Sequence, residues 1–476
     1  MKNPSVLLCS FILWGYVLDT LAAQDKRPDI VFIIVDDLND WVGCLGGHPD
    51  AKSPNIDALA ASGMLFSQAY CNSPQCRPSR TSLNCGLYPF RTGTYFNARY
   101  RGESKIESPT MQQFFMQHGY RVCSGGKVFH GNPGKHGDVL LKQPRDPKPP
   151  KGEDNFDAMR APNDGYALDV SDEEMGDYKV ATWASEQWNQ VTEKPLFMSV
   201  GFFRPHRPLQ VPIPWFEQFP LASIRRPDEP KGIDDWDDLP TFAQRLARSH
   251  AHKPLHQGVG GELQSDHEFI VANSEWDATI RAYQASIAFV DCQIGRFLES
   301  LALNPRGRET YIMLVSDHGW HLGEKKHWCK GAIWEQTTHI PFIVNGPKVE
   351  AGSKCDQPVS LIDVYPSLVD FAGLEVPSWL DGVSVKPQLL NPNATRGPAI
   401  SSYGGGNTSV RTQHWRYIRY EDGSEELYDH RVDSNEWTNL ASDPVHQKIK
   451  QSLADMIPSD QHEGLKVQDW FDKYQK

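Results

Sequence analysis

Two pairs of adjacent residues in this sequence could hold a cation, Asp36-Asp37 and Asp317-His318. Each follows a short β-branched and aromatic run, Ile30 to Val35 before the first and Tyr311 to Val315 before the second. Neighbouring carboxylates repel each other, so a pair at a strand end needs a cation or strong hydrogen-bond donors. Singly, Asp-Asp also suits a solvated turn, and Asp-His a helix cap beside a surface histidine. Together, at two strand ends of one sheet, they describe a mostly oxygen-donor site for Ca2+ or Mg2+. A third group is Cys76-Arg77-Pro78-Ser79-Arg80, in a loop entering a short helix. A lone cysteine in such a place is more often a partly buried hydrophobe than a reactive group.

The segments around these residues alternate between two periods. Leu196 to Phe203 and Pro341 to Val344 are further short apolar runs. Unbroken apolar strands point to a parallel sheet covered on both faces. Between them, Ser53-Pro54-Asn55-Ile56-Asp57 predicts a helix start, with Ser53 as cap and Pro54 in the first turn. Thr279 to Leu301 has Ile280, Tyr283, Ile287, Val290, Ile294 and Leu298 at helical spacing. Strands alternating with helices predict an α/β sandwich, in which function gathers at the carboxyl ends of the strands. Residues 131–180 and 204–262 are rich in Pro, Gly, Asp and Lys and read as long surface loops that shape a substrate site. Near Gly404 the pattern changes. His414 to Tyr420 alternates like an antiparallel strand, Asp422-Gly423 turns, Glu426 to Asp429 returns, and a helix from about His446 to Met456 follows. The expected organisation is a leading segment 1–23, a catalytic domain 24–398 and a small C-terminal α+β subdomain 399–476.

The 39% hydrophobic and 23% charged content over 476 residues excludes a disordered chain. A net charge of −12 argues against a nucleic-acid groove or a polybasic membrane surface as the main function. It also sits uneasily with an anionic substrate, unless basic residues converge on one confined pocket. Lys2, the apolar run Val6 to Leu18 and Leu21-Ala22-Ala23 read as a secretory signal, too short for a membrane span. A buried N-terminal helix is the alternative. With no later apolar stretch of spanning length, the expectation is an exported protein (periplasmic, extracellular or lumenal) without a membrane span. Eight cysteines lie beyond that segment, none at zinc-site spacing; they leave room for one or two disulfides of undetermined pairing. The sequons at Asn393 and Asn407 matter only in a eukaryotic host.

Cys76-Arg77-Pro78-Ser79-Arg80 is similar to the C-x-P-S-R signature of the type I sulfatases. Asp36-Asp37, Ser53 to Asp57 and Ser316-Asp317-His318-Gly319 resemble other motifs of that family, in the family's order. Each is modest singly; the ordered set is specific and covers nearly the whole chain. Gly126-Lys127-Val128-Phe129-His130, Arg204-Pro205-His206-Arg207-Pro208 and Trp320 to Lys330, with His318 where many sulfatases carry Asn, resemble the iduronate-2-sulfatase-like group. One departure is Asn84-Cys85-Gly86-Leu87, where the family usually has Leu-Thr-Gly-Arg.

The resemblance implies an alkaline-phosphatase-like, mostly parallel sheet between helices. It implies that a formylglycine-generating maturation enzyme oxidises Cys76 to 3-oxoalanine, whose hydrate attacks sulfur. Ca2+, rather than Mg2+, would be held by Asp36, Asp37, Asp317, His318 and the oxygen derived from Cys76. Arg80 would pair with that hydroxyl or with the metal carboxylates, and Lys127 and Lys330 would neutralise sulfate oxygens. His130 would take a proton during sulfate release, and His206 would protonate the leaving alkoxide. Arg204, Arg207, Lys325, Lys326 and His327 would grip a uronate carboxylate or second sulfate, or form only a solvated rim. Trp320, Trp328 and Trp334 suit either the core or a sugar platform. The expected substrate is a sulfated oligo- or polysaccharide, with a uronate 2-O-sulfate foremost. The rivals are a phosphate or phosphonate ester hydrolase of the same superfamily and a non-catalytic sulfated-glycan-binding protein.

Overall fold

The computed structural model describes residues 27–98, 106–131, 134–148, 165–230, 232, 234–248, 256–257, 263–459 and 465–474. The expected leading segment lies outside the described residues. The central sheet has eight strands, in the spatial order Ser353–Cys355, Met64–Phe66, Phe342–Asn345, Thr310–Ser316, Asp29–Asp36, Leu196–Pro205, Arg121–Gly126 and Val139–Lys142. Neighbours run parallel, except that Phe342–Asn345 is antiparallel to both of its neighbours. Its apolar run predicts a buried strand, but such a run reads alike in both directions and carries no polarity.

The unbroken apolar run of Asp29–Asp36 has a direct cause. Val31, Ile33 and Val35 pack on one side with Ile280, Ile287 and Ile294 of the long helix Trp276–Leu303. Ile30, Phe32 and Ile34 pack on the other with Phe115, Leu368 and Val369. Each of these strand residues is fully buried, so no position is left for a polar alternation. The parallel register sets Val35 opposite Ser316, which brings Asp36 level with Asp317 at the ends of adjacent strands.

The helix Pro54–Ala61 is capped differently from the sequence expectation. Ser53 makes no side-chain cap; its hydroxyl donates to Asp57 at 3.1 Å and accepts from the Gly43 N–H at 2.8 Å. The free N–H groups of Asn55 and Ile56 instead donate to Asp291 of the long helix, at 3.1 and 2.8 Å. Residues 131–180 and 204–262 also hold more structure than their composition suggests. They contain the edge strand Val139–Lys142, strands Tyr166–Leu168 and Gln210–Pro212, and helix Thr241–Arg248; helix Gly176–Trp188 begins there too. In Thr241–Arg248 the buried side is only four residues, Phe242, Ala243, Leu246 and Ala247, too brief to stand out among charged neighbours.

The C-terminal part is a four-stranded antiparallel sheet, Ala399–Ser402, Thr408–Arg411, Trp415–Arg419 and Glu425–Asp429, followed by helix Gln447–Ala454. Buried Arg416 ties it to the rest of the molecule by an ion pair to Glu335; within the C-terminal part it pairs with Glu436, and its Nη1 donates to Ser409 at 2.6 Å. All eight cysteines from Cys44 to Cys355 are free thiols. Asn407 is fully buried, its amide donating to the Tyr403 carbonyl and to Glu421 at 2.9 Å each, so that sequon offers no glycan site on the folded chain; Asn393 is exposed. Among the described residues no helix is long and apolar enough to cross a membrane.

Candidate active site

Asp36, Asp37, Cys76, Asp317 and His318 meet at the strand ends, each fully buried, with ligand-type atoms all within 4.8 Å of one another. Backbone geometry places them. Asp37 takes the left-handed conformation (φ 62°), which turns the chain sharply as it leaves the strand. Its N–H donates to Asp317 Oδ1 at 3.0 Å, and its carbonyl accepts from the Tyr283 hydroxyl at 2.7 Å. Ser316 Oγ accepts from the Leu38 N–H at 3.0 Å, stitching the two strand ends together. Cys76 opens the helix Cys76–Cys85, and Ser79 Oγ, one turn on, donates to the Asp317 carbonyl at 2.5 Å. Tyr283, Ser79 and Ser316 are supports that spacing alone does not reveal.

Three cations enclose the carboxylates. Arg80, 1% exposed, donates through Nε to Asp317 at 2.8 Å and through Nη2 to Asp36 at 2.9 Å. Lys330 Nζ lies 2.7 Å from Asp37 Oδ1 and 2.9 Å from Cys76 Sγ. Lys127 pairs with Asp36 and lies 4.7 Å over the Phe203 ring. Glycine makes that approach possible. A Cβ on Gly126, itself at φ 74°, would lie 2.0 Å from the Gly201 carbonyl oxygen, and one on Gly201 would lie 2.2 Å from Lys127 backbone.

The charges are set by this enclosure. Burial works against the charge of Asp36, yet Lys127 and Arg80 hold its carboxyl well below the usual range. Burial pushes Asp37 up to about 6, with Lys330 opposing, and also raises Asp317 against the pull of Arg80. His318 is desolvated too, but Asp317 and Asp37 push it up to about 9. Burial opposes a Cys76 thiolate, and Lys330 outweighs it, so the thiol is lowered. Partial desolvation and the Lys127 charge push His130 down to about 4.

The donor set fits a hard divalent cation. Three carboxylates and one imidazole are offered, and Asp36 Oδ2 is buried with the Lys127 ammonium against it and His206 Nε2 4.0 Å away. His318 Nδ1 sits 3.0 Å from the Gly319 carbonyl, which fixes the ring and leaves Nε2 facing the carboxylates. Cys76 is present as its thiol, the precursor of the aldehyde that the sequence resemblance implies.

The sulfatase family model matches residues 28–374, which take in every residue of this cluster. The chain belongs to the sulfatase family. It is therefore a sulfuric ester hydrolase. A second model, the C-terminal region of N-sulphoglucosamine sulphohydrolase, matches residues 323–463. A sulfatase of Formosa agariphila is 32% identical, covering 94% of this chain and 91% of that protein. Iduronate 2-sulfatase of Homo sapiens is 30% identical over 73% of this chain and 70% of its own. The solved structure of a 2-O GAG sulfatase superposes with a TM-score of 0.71 at 21% identity, covering 95% of this chain and 93% of that one. That likeness concerns the fold, which is the alkaline-phosphatase-like α/β sandwich expected.

The outer residues of this sulfatase divide. His206, its ring 4.8 Å from Phe203, keeps Nδ1 2.5 Å from the Arg207 carbonyl and turns Nε2 toward Asp36 and Asp37, 4.0 Å from each. Arg207 is half-buried beside it, with Nη1 3.6 Å from Cys329 Sγ, next to Lys330. Arg204 corrects the sequence expectation. It is 1% exposed, pairs with Asp146, and donates to the carbonyls of His206 and Pro208, so it shapes the His206 loop from within. His327 is likewise buried, with Nδ1 2.9 Å from the Ala247 carbonyl and its ring against His321 and Trp334. Lys326 is partly exposed but engaged by Asp234 at 2.8 Å. Lys325 is buried rather than on a solvated rim, and Trp320, Trp328 and Trp334 belong to the core. The departure at Asn84-Cys85 is absorbed locally: Asn84 donates to the Arg80 carbonyl and accepts from Gln112, both at 2.8 Å.

Proposed function

We propose that this sulfatase removes sulfate from sulfated saccharides, with a uronate 2-O-sulfate as the preferred ester. The observation that carries the reading is the convergence of Lys127, Lys330 and His206 on one buried carboxylate cluster of an otherwise acidic protein, with Arg207 beside Cys329 next to Lys330. Such a confined basic pocket can attract an anion that an acidic exterior otherwise repels. The relatedness to iduronate 2-sulfatase supports the uronate ester in particular.

In this reading Cys76 is converted to formylglycine by a maturation enzyme, and Ca2+ is held by Asp36, Asp37, Asp317 and His318. The bound ion would supply Lewis acidity toward the sulfate, and the hydrated aldehyde the nucleophile. The residues of the chain do the rest. Arg80 bridges Asp317 and Asp36 and favours their ionised forms against burial. Lys127 and Lys330 take up charge on the sulfate oxygens as the S–O bond breaks. His206, whose resting ring burial keeps neutral with its hydrogen on Nδ1 toward the Arg207 carbonyl, takes a proton at Nε2 from the attacking hydroxyl and gives it to the departing sugar oxygen, and His130 accepts one during sulfate release. Arg207 binds the uronate carboxylate in bidentate fashion. Export is part of the proposal, supported by Lys2 and the apolar run Val6 to Leu18.

A desulfation screen on defined oligosaccharides tests it, comparing 2-O-sulfated uronate disaccharides with 6-O-sulfated glucosamine and with phosphate monoesters. Preferential turnover of the 2-O-sulfate is expected. Faster turnover of a phosphate ester would overturn it, as would an intact Cys76 thiol in the mass of the 72–91 peptide from active, natively produced enzyme.

A further inference from the structure

The segment that delivers Lys330 to the cluster is anchored at a point far from the chemistry. His321–Leu322 and Trp328–Cys329 pair as a small antiparallel ribbon, and Lys330 follows immediately. The tip of a ribbon between polar residues ordinarily faces water. Here it is inserted into protein. Lys325, 5% exposed, donates to Asp235 Oδ1 at 3.0 Å and to the Glu436 carbonyl, and its ammonium lies 5.1 Å from the Tyr428 ring centre and 5.7 Å from that of Trp334. Burial raises the carboxyl of Glu426, on strand Glu425–Asp429, and the nearby Lys325 charge opposes that rise. Three of the residues that embrace this one ammonium therefore come from the C-terminal part, and a fourth from the 234–238 turn.

The backbone around the tip is unusual in the same place. Lys325, Lys326 and Cys329 all adopt left-handed conformations, at φ 50°, 51° and 67°. Non-glycine residues hold such conformations only where their surroundings over-determine them. The ion pair and the two rings at Lys325 are those surroundings. A buried lysine matched to fixed acceptors is poor at adding stability but good at specifying one arrangement over its neighbours.

We infer that Lys325 is a positioning residue for Lys330: by locking the ribbon tip into the Asp235, Glu426 and Glu436 pocket, it fixes where the ribbon's other end holds the catalytic ammonium against Asp37 and Cys76. The C-terminal sheet thereby takes part in catalysis without touching substrate. The inference rests on the sulfate-binding role given to Lys330 above, and is independent of which sugar is desulfated.

The test uses the full-length enzyme and 4-nitrophenyl sulfate as probe. Lys325→Met should lower kcat by about 10–100-fold, the cost of a small misplacement of a catalytic group, while KM changes less than about threefold. Lys325→Arg, which keeps the charge and can reach the same acceptors, should recover most of that loss. Lys450→Met, which removes a 2.8 Å ion pair to Glu425 in the same sheet, should behave as wild type. In a crystal structure of Lys325→Met, Lys330 Nζ should have left Asp37. The inference is overturned if kcat stays within about twofold of wild type, or if Lys330 keeps its place while the activity falls. A purely structural role would lower thermal stability and leave kcat per folded molecule unchanged, which also overturns it. Should Lys325→Met not fold, Asp235→Asn, which keeps the lysine and its carbonyl partner, is read by the same outcomes. A wild type inert toward every sulfate ester would refute the sulfatase chemistry itself; the position of Lys330 in the variant crystal still decides the inference.

Discussion

Arg80 Nε and Asp317 Oδ2 lie 2.8 Å apart, and neither side chain is reached by solvent beyond 1%. The same guanidinium spans to Asp36 on the neighbouring strand, so one planar cation holds two strand ends in register. Removing it strands two buried carboxylates. Arg80→Met should destabilise the enzyme by about 3–5 kcal/mol, the usual cost of breaking a buried pair from one side. Arg80→Lys keeps the charge but not the fork, and should fall between. Thermal or urea unfolding of the two variants checks the order.

The orientation of His206 makes a prediction about leaving groups. A sugar alkoxide departs poorly without a proton, whereas a nitrophenolate needs none. His206→Gln should therefore reduce kcat on a sugar sulfate by about 10²–10⁴-fold and on 4-nitrophenyl sulfate far less. Equal losses on both substrates would remove the general-acid role and leave His206 a binding residue.

Stability should depend on a divalent cation. After treatment with a chelator, Ca2+ at one hundred times its dissociation constant should stabilise the fold by about 2.7 kcal/mol, seen as a rise in Tm. Asp37→Asn should abolish most of the rise, because Asp37 is one of the three carboxylates of the cluster. A larger shift with Mg2+ would reverse the choice of ion.

Glu324 gives a pH dependence whose sign is fixed. Burial pushes its carboxyl up to about 7, although the Leu322 N–H, 2.6 Å away, favours the ionised form. The folded protein thus binds more protons than the unfolded chain between about pH 4.5 and 7, and loses stability as pH rises through that window. Glu324→Gln cannot ionise and can still accept from Leu322. It should be more stable than wild type at pH 8, by up to about 3 kcal/mol, and no more stable at pH 4. Paired melting curves at the two pH values suffice.

The cap supplied by Asp291 can be tested apart from the chemistry. Asp291→Ala leaves the first N–H groups of helix Pro54–Ala61 without an acceptor and should cost about 1–2 kcal/mol. Gly295→Ala, one turn further along the long helix, should also destabilise, since its Cβ would lie 2.2 Å from Asn55 Oδ1. Neither should alter KM.

Much of this architecture was legible because it depends on local pattern. The runs at Ile30 and Tyr311 had to be buried strands, and the long helix had to be amphipathic, since each is covered by apolar partners on the expected side. The acid pairs at their ends were legible for the same reason: a strand end fixes the direction of the next two side chains. What could not be read depends on partners distant in sequence. Asp291 caps a helix 235 residues away, Arg204 is consumed by Asp146, and Lys325 by Asp235 and Glu436. A charged residue in a turn-rich stretch looks solvated until its counter-ion is placed, and only the fold places it.

The complete enclosure of Cys76 has a consequence for the order of events in the cell. Its sulfur lies beneath Lys330 and beside His318, at the junction of strands that meet only when the sheet has formed. If Cys76 is converted as proposed, the converting enzyme needs access to a thiol that the finished fold encloses completely. On that proposal, modification and folding compete in time: a molecule that folds first keeps its thiol, and the active fraction of a preparation records which of the two was faster.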